Sequence, residues 1–234
     1  TALRAIANSG DLEALMHYQP HAGRPRDRAT LAAHLHSCGL EIDASQLLFV
    51  DGAQHGLTVT AMALLKPGDV VAVDALTYPG FKLLAESLRL ELLPIPASGN
   101  GPDLKALEAL CTRRKVRALY AMPTMHNPLG WVMSLTRRNK LIAIARKHGV
   151  TIIEDAAYAF LADDPPPPLA ALAPDITVYV SALSKSIATG LRVGFIAAPE
   201  RFIPQLERSI RATTWNTAAV MTTLGCRWLE DGTI

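Results

Sequence analysis

Lys185 lies between Ser184 and Ser186 in the apolar run YVSALSKSIATGLRVGF (179–195), and Arg192 follows seven residues later between two nearby glycines. Lysine is seldom buried without a partner. At this position it is either a surface charge or an amine whose pKa desolvation lowers toward reactivity. Other groups able to do chemistry stand after other apolar runs. Asp155 follows VTIIE and precedes Ala156-Ala157-Tyr158. Asn127 lies in PTMHNPLG, and Tyr78 in DALTYPG. Gly52, Ala53 and Gln54 follow LLFV and open a helical pattern, where free amide groups make a cradle for phosphate.

These groups must be positioned by the elements before them. Short apolar runs at 47–50, 70–73, 90–95, 116–122, 150–154, 176–180 and 193–198 read as strands, alternating with helical segments. Helices are predicted from about Arg28 to Cys38, 53–65, Gly80 to Ser87, a ten-residue stretch capped by Asp103, Ser134 to His148, Pro199 to Arg211 and Thr217 to Leu229. A break is predicted at Asn8-Ser9-Gly10. The alternation predicts an α/β fold, a mostly parallel seven-stranded sheet with helices on both faces. Ligands of such sheets bind beyond the carboxyl ends of the strands, where all the groups above fall. Pro165 to Pro168 reads as a stiff connector.

Composition excludes several classes. The 234 residues carry a net charge of +2, with no field that selects nucleic acid or an anionic membrane. The basic clusters 24–28, 113–117 and 136–140 read as separate solvated faces. Cys38, Cys111 and Cys226 are far apart and read as reduced thiols in a cytoplasmic protein. No apolar run is long enough for a membrane span, and the first residues are not a signal peptide. His34 and His36 are two apart on a helix and cannot chelate one metal, so no metal site is expected. His126 reads as a turn histidine. Neither GxGxxG nor GxxxxGK[ST] occurs, against dinucleotide and nucleoside-triphosphate binding.

One ligand uses an amine, a carboxylate, an amide, phenols, an arginine and a phosphate cradle at one sheet edge: pyridoxal phosphate. An arginine pairs with such a phosphate in bidentate fashion. The motif order GAQ, TYPG, NPLG, EDAAY, SALSKSIATGLRVG resembles fold-type I pyridoxal-phosphate enzymes of the aminotransferase class I/II group, over about Tyr18 to Arg211. The resemblance implies that Lys185 is the Schiff-base lysine and Asp155 the partner of the pyridine nitrogen. It implies that Asn127 and Tyr158 bind the phenolic oxygen and that Tyr78 stacks on the ring. Gly52, Ala53, Gln54, Ser184 and Arg192 would hold the phosphate, with Tyr18 reaching it from the second subunit of a homodimer. Two departures stand out. Ala182 occupies a position where relatives often carry Ser or Thr, and the arginine that clamps the substrate carboxylate belongs to a smaller C-terminal domain expected beyond Ile234.

YQPHAGRPRDRATLAAHL and the segment from Pro165 to Phe195 resemble, within that group, the aminotransferase-like half of MocR-type regulators of the GntR family. This implies binding of an amino acid or amine-containing effector, and DNA contact only through a winged helix outside these residues. The alternative is a free-standing aminotransferase that moves an amino group from an amino acid to a 2-oxo acid. The expected division is an N-terminal arm with helices at 1–41 and a cofactor-binding domain at 42–234. Thr1 at the start and the abrupt end suggest a piece of a longer protein.

Overall fold

The computed structural model describes residues 2–8 and 12–233. Helices α1 (Ala2–Ala7), α2 (Leu12–Met16) and α3 (Pro25–Ser37) precede the sheet. The break predicted at Asn8-Ser9-Gly10 lies partly outside the described residues. The chain then alternates: β1 (Leu47–Val50), α4 (Ala53–Leu64), β2 (Val70–Asp74), α5 (Pro79–Ser87), β3 (Glu91–Ile95) and α6 (Leu104–Arg113). There follow β4 (Val116–Ala121), α7 (Leu135–His148), β5 (Thr151–Asp155), a short α8 (Leu169–Leu172), β6 (Thr177–Ala182) and β7 (Gly194–Ala197). Helices α9 (Ile203–Thr213) and α10 (Ala219–Glu230) complete the order.

The strands form one seven-stranded sheet in the order β1-β7-β6-β5-β4-β2-β3. Neighbours from β3 through β6 are parallel, while β7 runs antiparallel to both β6 and β1. β1, β2 and β7 are buried along their whole length and the other strands except β3 along most of it, so their sequences are nearly continuous apolar runs. One face packs on α4, α5 and α9 through Leu57, Phe81, Leu206 and Ile210. The other is covered by α6 to α8 toward the β3 edge and by α3 and α10 toward β1.

Local chemistry sets the helix ends. Asp103 Oδ1 accepts from the Lys105 and Ala106 amides, and Ser134 Oγ accepts from Arg137 N. Gly149 closes α7 in the left-handed conformation (φ 65°). Helix α3 starts three residues before the predicted Arg28, because Pro25 fits the first turn, which needs no amide donor. The segment predicted as one helix from Pro199 is split. A 3₁₀ turn at Glu200–Phe202 precedes α9.

Candidate functional site

A cavity of about 280 Å³ lies beyond the carboxyl ends of β4, β5 and β6 and beside the start of α4. Asp155, the last residue of β5, is buried and lines it. Its Oδ2 accepts the Tyr120 hydroxyl at 2.7 Å and its Oδ1 accepts the Ala157 amide at 3.0 Å. Burial raises the Asp155 pKa, and these two hydrogen bonds oppose the rise. Tyr120 is fully buried in β4 and stacks on Phe81 of α5, centroids 3.9 Å apart and planes 5° from parallel. Desolvation first, then the Asp155 charge, pushes the Tyr120 phenol well up, so it remains a donor.

Asn127 is half-buried in the loop after β4 and precedes a cis Asn127–Pro128 bond. Two buried contacts brace this loop. The Arg138 guanidinium, fully enclosed, donates to Met133 O, Pro123 O, Pro167 O and Thr124 Oγ1. His126 Nδ1 accepts from Leu129 N, and its Nε2 lies 3.2 Å from Asp74 Oδ2 at the end of β2. Asp74 thereby joins the Asn127 loop to the turn that carries Tyr78.

The third side is built on glycine. Gly52 (φ 87°) precedes α4, and a Cβ on it would stand 2.7 Å from Arg192 Nη2. Only glycine combines that backbone with that approach. Arg192 donates from Nη2 to Asp51 O at 3.0 Å, which sets its guanidinium against the first turn of α4. Gln54 Nε2 donates to Gly80 O, tying α4 to α5, and the Tyr78 ring folds over Gly80. Ser184 Oγ is buried with no hydrogen-bond partner among the described residues. Lys185 lies in the loop of the β6–β7 hairpin, its Nζ 5.6 Å from the Tyr158 ring centroid.

Nine of the eleven residues singled out by sequence line this one cavity: Lys185, Asp155 and Tyr158; Asn127 and Tyr78; Ala53, Gln54, Ser184 and Arg192. Ala182 also lines it, so the strand presents a methyl group there, while Ser181 Oγ turns away and donates to Ala156 O. Gly52 stands directly behind Arg192. Tyr18 is elsewhere: it is 85% exposed and faces the Trp215 ring at 5.7 Å. Of the two alternatives for Lys185 the structure shows an exposed side chain, in the hairpin loop past the strand ends. Two expectations need correction. The cluster 136–140 is solvated only in part: Thr136, Asn139 and Lys140 are exposed, but Arg138 is buried by carbonyls from two distant loops. His126 is not an ordinary turn histidine; it is buried against Asp74 and Trp131.

Sequence reasoning passed over Tyr120, Phe81, Asp74 and Arg138. A hydroxyl inside the buried run VRALYA was the available signal for Tyr120, since a buried phenol requires a partner. Among the described residues no group of three or more His, Cys, Asp or Glu could hold a metal, and no helix is long and apolar enough to cross a membrane.

The donor set fits pyridoxal phosphate. An amine, a buried carboxylate, an amide and a phenol surround the cavity. The partnerless Ser184 Oγ lines it together with Arg192, which lies against Gly52. A profile of the family described as aminotransferase class I and II matches residues 1–231. The HTH-type transcriptional regulator YdeF of Bacillus subtilis is 34% identical over 172 residues, 74% of this chain and 37% of that protein. The aminotransferase SSO0104 of Saccharolobus solfataricus is 36% identical over 174 residues, 71% of this chain and 43% of that protein. The chain therefore spans about two fifths of the length of these curated relatives. A solved α-aminoadipate aminotransferase of Thermus thermophilus, complexed with N-(5′-phosphopyridoxyl)-L-leucine, matches with a TM-score of 0.89 at 27% identity. That match covers 99% of this chain and 59% of the other. The chain belongs to the aminotransferase class I and II family, whose cofactor is pyridoxal phosphate.

Proposed function

We propose that this chain is the cofactor-binding, amine-sensing region of a MocR-type regulator of the GntR family, with residues 42–234 as the binding domain and 1–41 as its arm. The observation that carries the cofactor reading is the single cavity that gathers Lys185, Asp155, Asn127, Tyr158 and Arg192. The similarity to the Bacillus subtilis regulator supports the sensing reading. Bound pyridoxal phosphate supplies an aldehyde that condenses with primary amines and a ring that withdraws electrons from the carbon bearing them.

Each residue gathered there has a part in this reading. Lys185 supplies the tethering amine. Ionised Asp155 holds the proton at the ring nitrogen. Asn127 and Tyr158 bind the phenolic oxygen, and Tyr78 covers the ring face. Gly52, Ala53 and Gln54 contribute backbone amides at the start of α4, where the helix dipole favours an anion. Ser184 and Arg192 bind the phosphate, Arg192 as a charged donor already fixed by Asp51 O. Exposed Tyr18 reaches the second subunit's site in a homodimer. The effector is an amino acid or another primary amine, and DNA contact belongs to a winged helix outside these residues.

A second reading is a free-standing aminotransferase that exchanges an amino group between an amino acid and a 2-oxo acid. The similarity to the Saccharolobus solfataricus aminotransferase favours it. The two readings separate with the full-length gene product. A regulator binds its own promoter DNA, with affinity altered by an amine, and shows no sustained turnover. An enzyme turns over amino acid with 2-oxo acid and leaves DNA unbound. For the cofactor itself, borohydride reduction of loaded protein should fix the pyridoxyl mass on the tryptic peptide containing Lys185. Label on any other lysine ends the assignment.

A further inference from the structure

Asp155 lines the cavity from a buried strand end, and its carboxylate needs donors to remain ionised there. Ala157 N supplies one from its own loop. The other comes from 35 residues earlier in the chain: the Tyr120 hydroxyl, 2.7 Å from Oδ2. The sheet register brings them together. Tyr120 pairs with Ile153, two residues before Asp155, so the two side chains share one face of adjacent strands. That face is also where Phe81 lies flat on the Tyr120 ring, both rings fully buried. The stack leaves the phenol little freedom except to point along the strand toward the carboxylate. Phe81 is three residues after Tyr78 at the start of the same helix, so the segment bearing the proposed ring-covering tyrosine also clamps Tyr120.

We propose that Tyr120 is a positioning residue for Asp155, its hydroxyl fixing the carboxylate as an acceptor turned into the cavity and Phe81 fixing Tyr120 in turn. This rests on the reading of Asp155 as the partner of the cofactor's ring nitrogen. The proton balance is simple: Tyr120 keeps its proton throughout and lends it as a hydrogen bond, while the ring nitrogen's proton remains with the ring. The other titratable groups around Asp155 do not replace this contact. Glu154, next in the strand, bonds the amides of Leu169 and Ala170. Arg138 acts electrostatically on Glu154, Tyr179 on β6 feels both carboxylates, Glu154 more than Asp155, and Asp74 acts on Tyr120. Lys185 and Tyr158 face the cavity from its mouth and pair with each other at 5.6 Å.

The test is the titration of Asp155 in Tyr120→Phe, a variant that retains the ring and its stack. In protein labelled with carboxyl-¹³C aspartate, the Asp155 signal is assigned by its loss in Asp155→Asn. Without cofactor, its midpoint in Tyr120→Phe should rise by about one to two pH units, the scale of a lost hydrogen bond to a charged group. With pyridoxal phosphate, the acid limb of the single-turnover rate with an amino acid should move upward in parallel. Phe81→Leu, which retains the phenol but frees it, should give a smaller rise in the same direction. An Asp155 midpoint unmoved in both variants overturns the role of Tyr120. If the midpoint moves while the parent protein shows no cofactor absorbance, the positioning stands and the reading of the cavity fails.

Discussion

A methyl group on Gly194 is a sharp probe of how the cradle is built. Gly194 begins β7 and pairs with Val50 of β1 on one side and Ala182 of β6 on the other, so ladder bonds on both sides restrain its backbone. In Gly194→Ala the new Cβ would lie 2.6 Å from the Gly52 carbonyl carbon, 2.8 Å from Gly52 Cα and 3.0 Å from Ala53 N. Carbon atoms prefer about 3.5–4.0 Å, so backbone must move by roughly 1 Å. No flexible side chain is available to yield. Overpacking of this kind costs ~1–3 kcal/mol, and at this chain length each kcal/mol lowers Tm by ~2–4 °C. Tm should therefore fall by about 2–12 °C. The atoms displaced are those of Gly52 and Ala53, at the start of α4, so pyridoxal-phosphate affinity should drop by about tenfold, the scale of one weakened charged hydrogen bond. Gly190→Ala, in the hairpin loop just before β7, is the control: nothing lies within 4 Å of its added Cβ. Calorimetry and spectroscopic cofactor titration of the two variants read both effects. Equal behaviour of Gly194→Ala and Gly190→Ala would refute the close-approach reasoning.

Four further outcomes are expected. Lys185→Ala should lose the near-visible absorbance of cofactor-loaded protein; retention of the band would assign the tether elsewhere. Arg192→Ala should weaken cofactor affinity by ~1.5–3 kcal/mol, or roughly 10- to 100-fold, by equilibrium titration; a change within error would move the phosphate from the Gly52 side. Arg138→Met removes a donor from four acceptors, of which Pro123 O keeps the Met133 amide, and should cost ~3–5 kcal/mol in denaturant unfolding, at ~1–3 kcal/mol for each group left unpaired, with a loss below about 1 kcal/mol counting against the bracing role. Burial raises Glu154 to about 7 against the opposing bonds of Ala170 and Leu169. The fold thus favours protonated Glu154, and unfolding free energy should decline as pH rises from about 4.5 to about 7, by up to ~3 kcal/mol from this group. Glu154→Gln should remove most of that decline; parallel pH–stability curves would exclude it.

The strand-ending motifs were legible because each reactive residue follows a buried apolar run, and a parallel sheet collects such ends at one edge. Asp155, Asn127 and Lys185 meet for that reason, and Arg192 joins them because β7 runs antiparallel and begins at that edge, although 65 positions separate Asn127 from Arg192. Contacts fixed by tertiary closure were not legible. Nothing within 136–140 indicates that carbonyls of Pro123 and Pro167 will enclose Arg138 while Arg137 stays at the surface side, bonded to Pro102 O. Periodicity places Tyr120 inward but does not name its partner on the next strand. The exposure of Lys185 depends on how far the β6–β7 loop extends, which composition does not set. Helix starts were displaced where proline took the first turn, as at Pro25.

The strand order has a consequence for assembly. β1 sits at the sheet edge and pairs there with β7, so residues 47–50 gain their strand partner only when residues 194–197 have been made. On the ribosome, β2 to β6 can associate as a growing parallel core while β1 waits at its margin. The pairing of β1 with β7 is then a contact of high sequence separation that closes late. That same closure brings Gly194 against Gly52 and Arg192 against Asp51. The proposed anion cradle is therefore among the last parts of the protein to exist, and a nascent chain acquires it only when the sheet is complete.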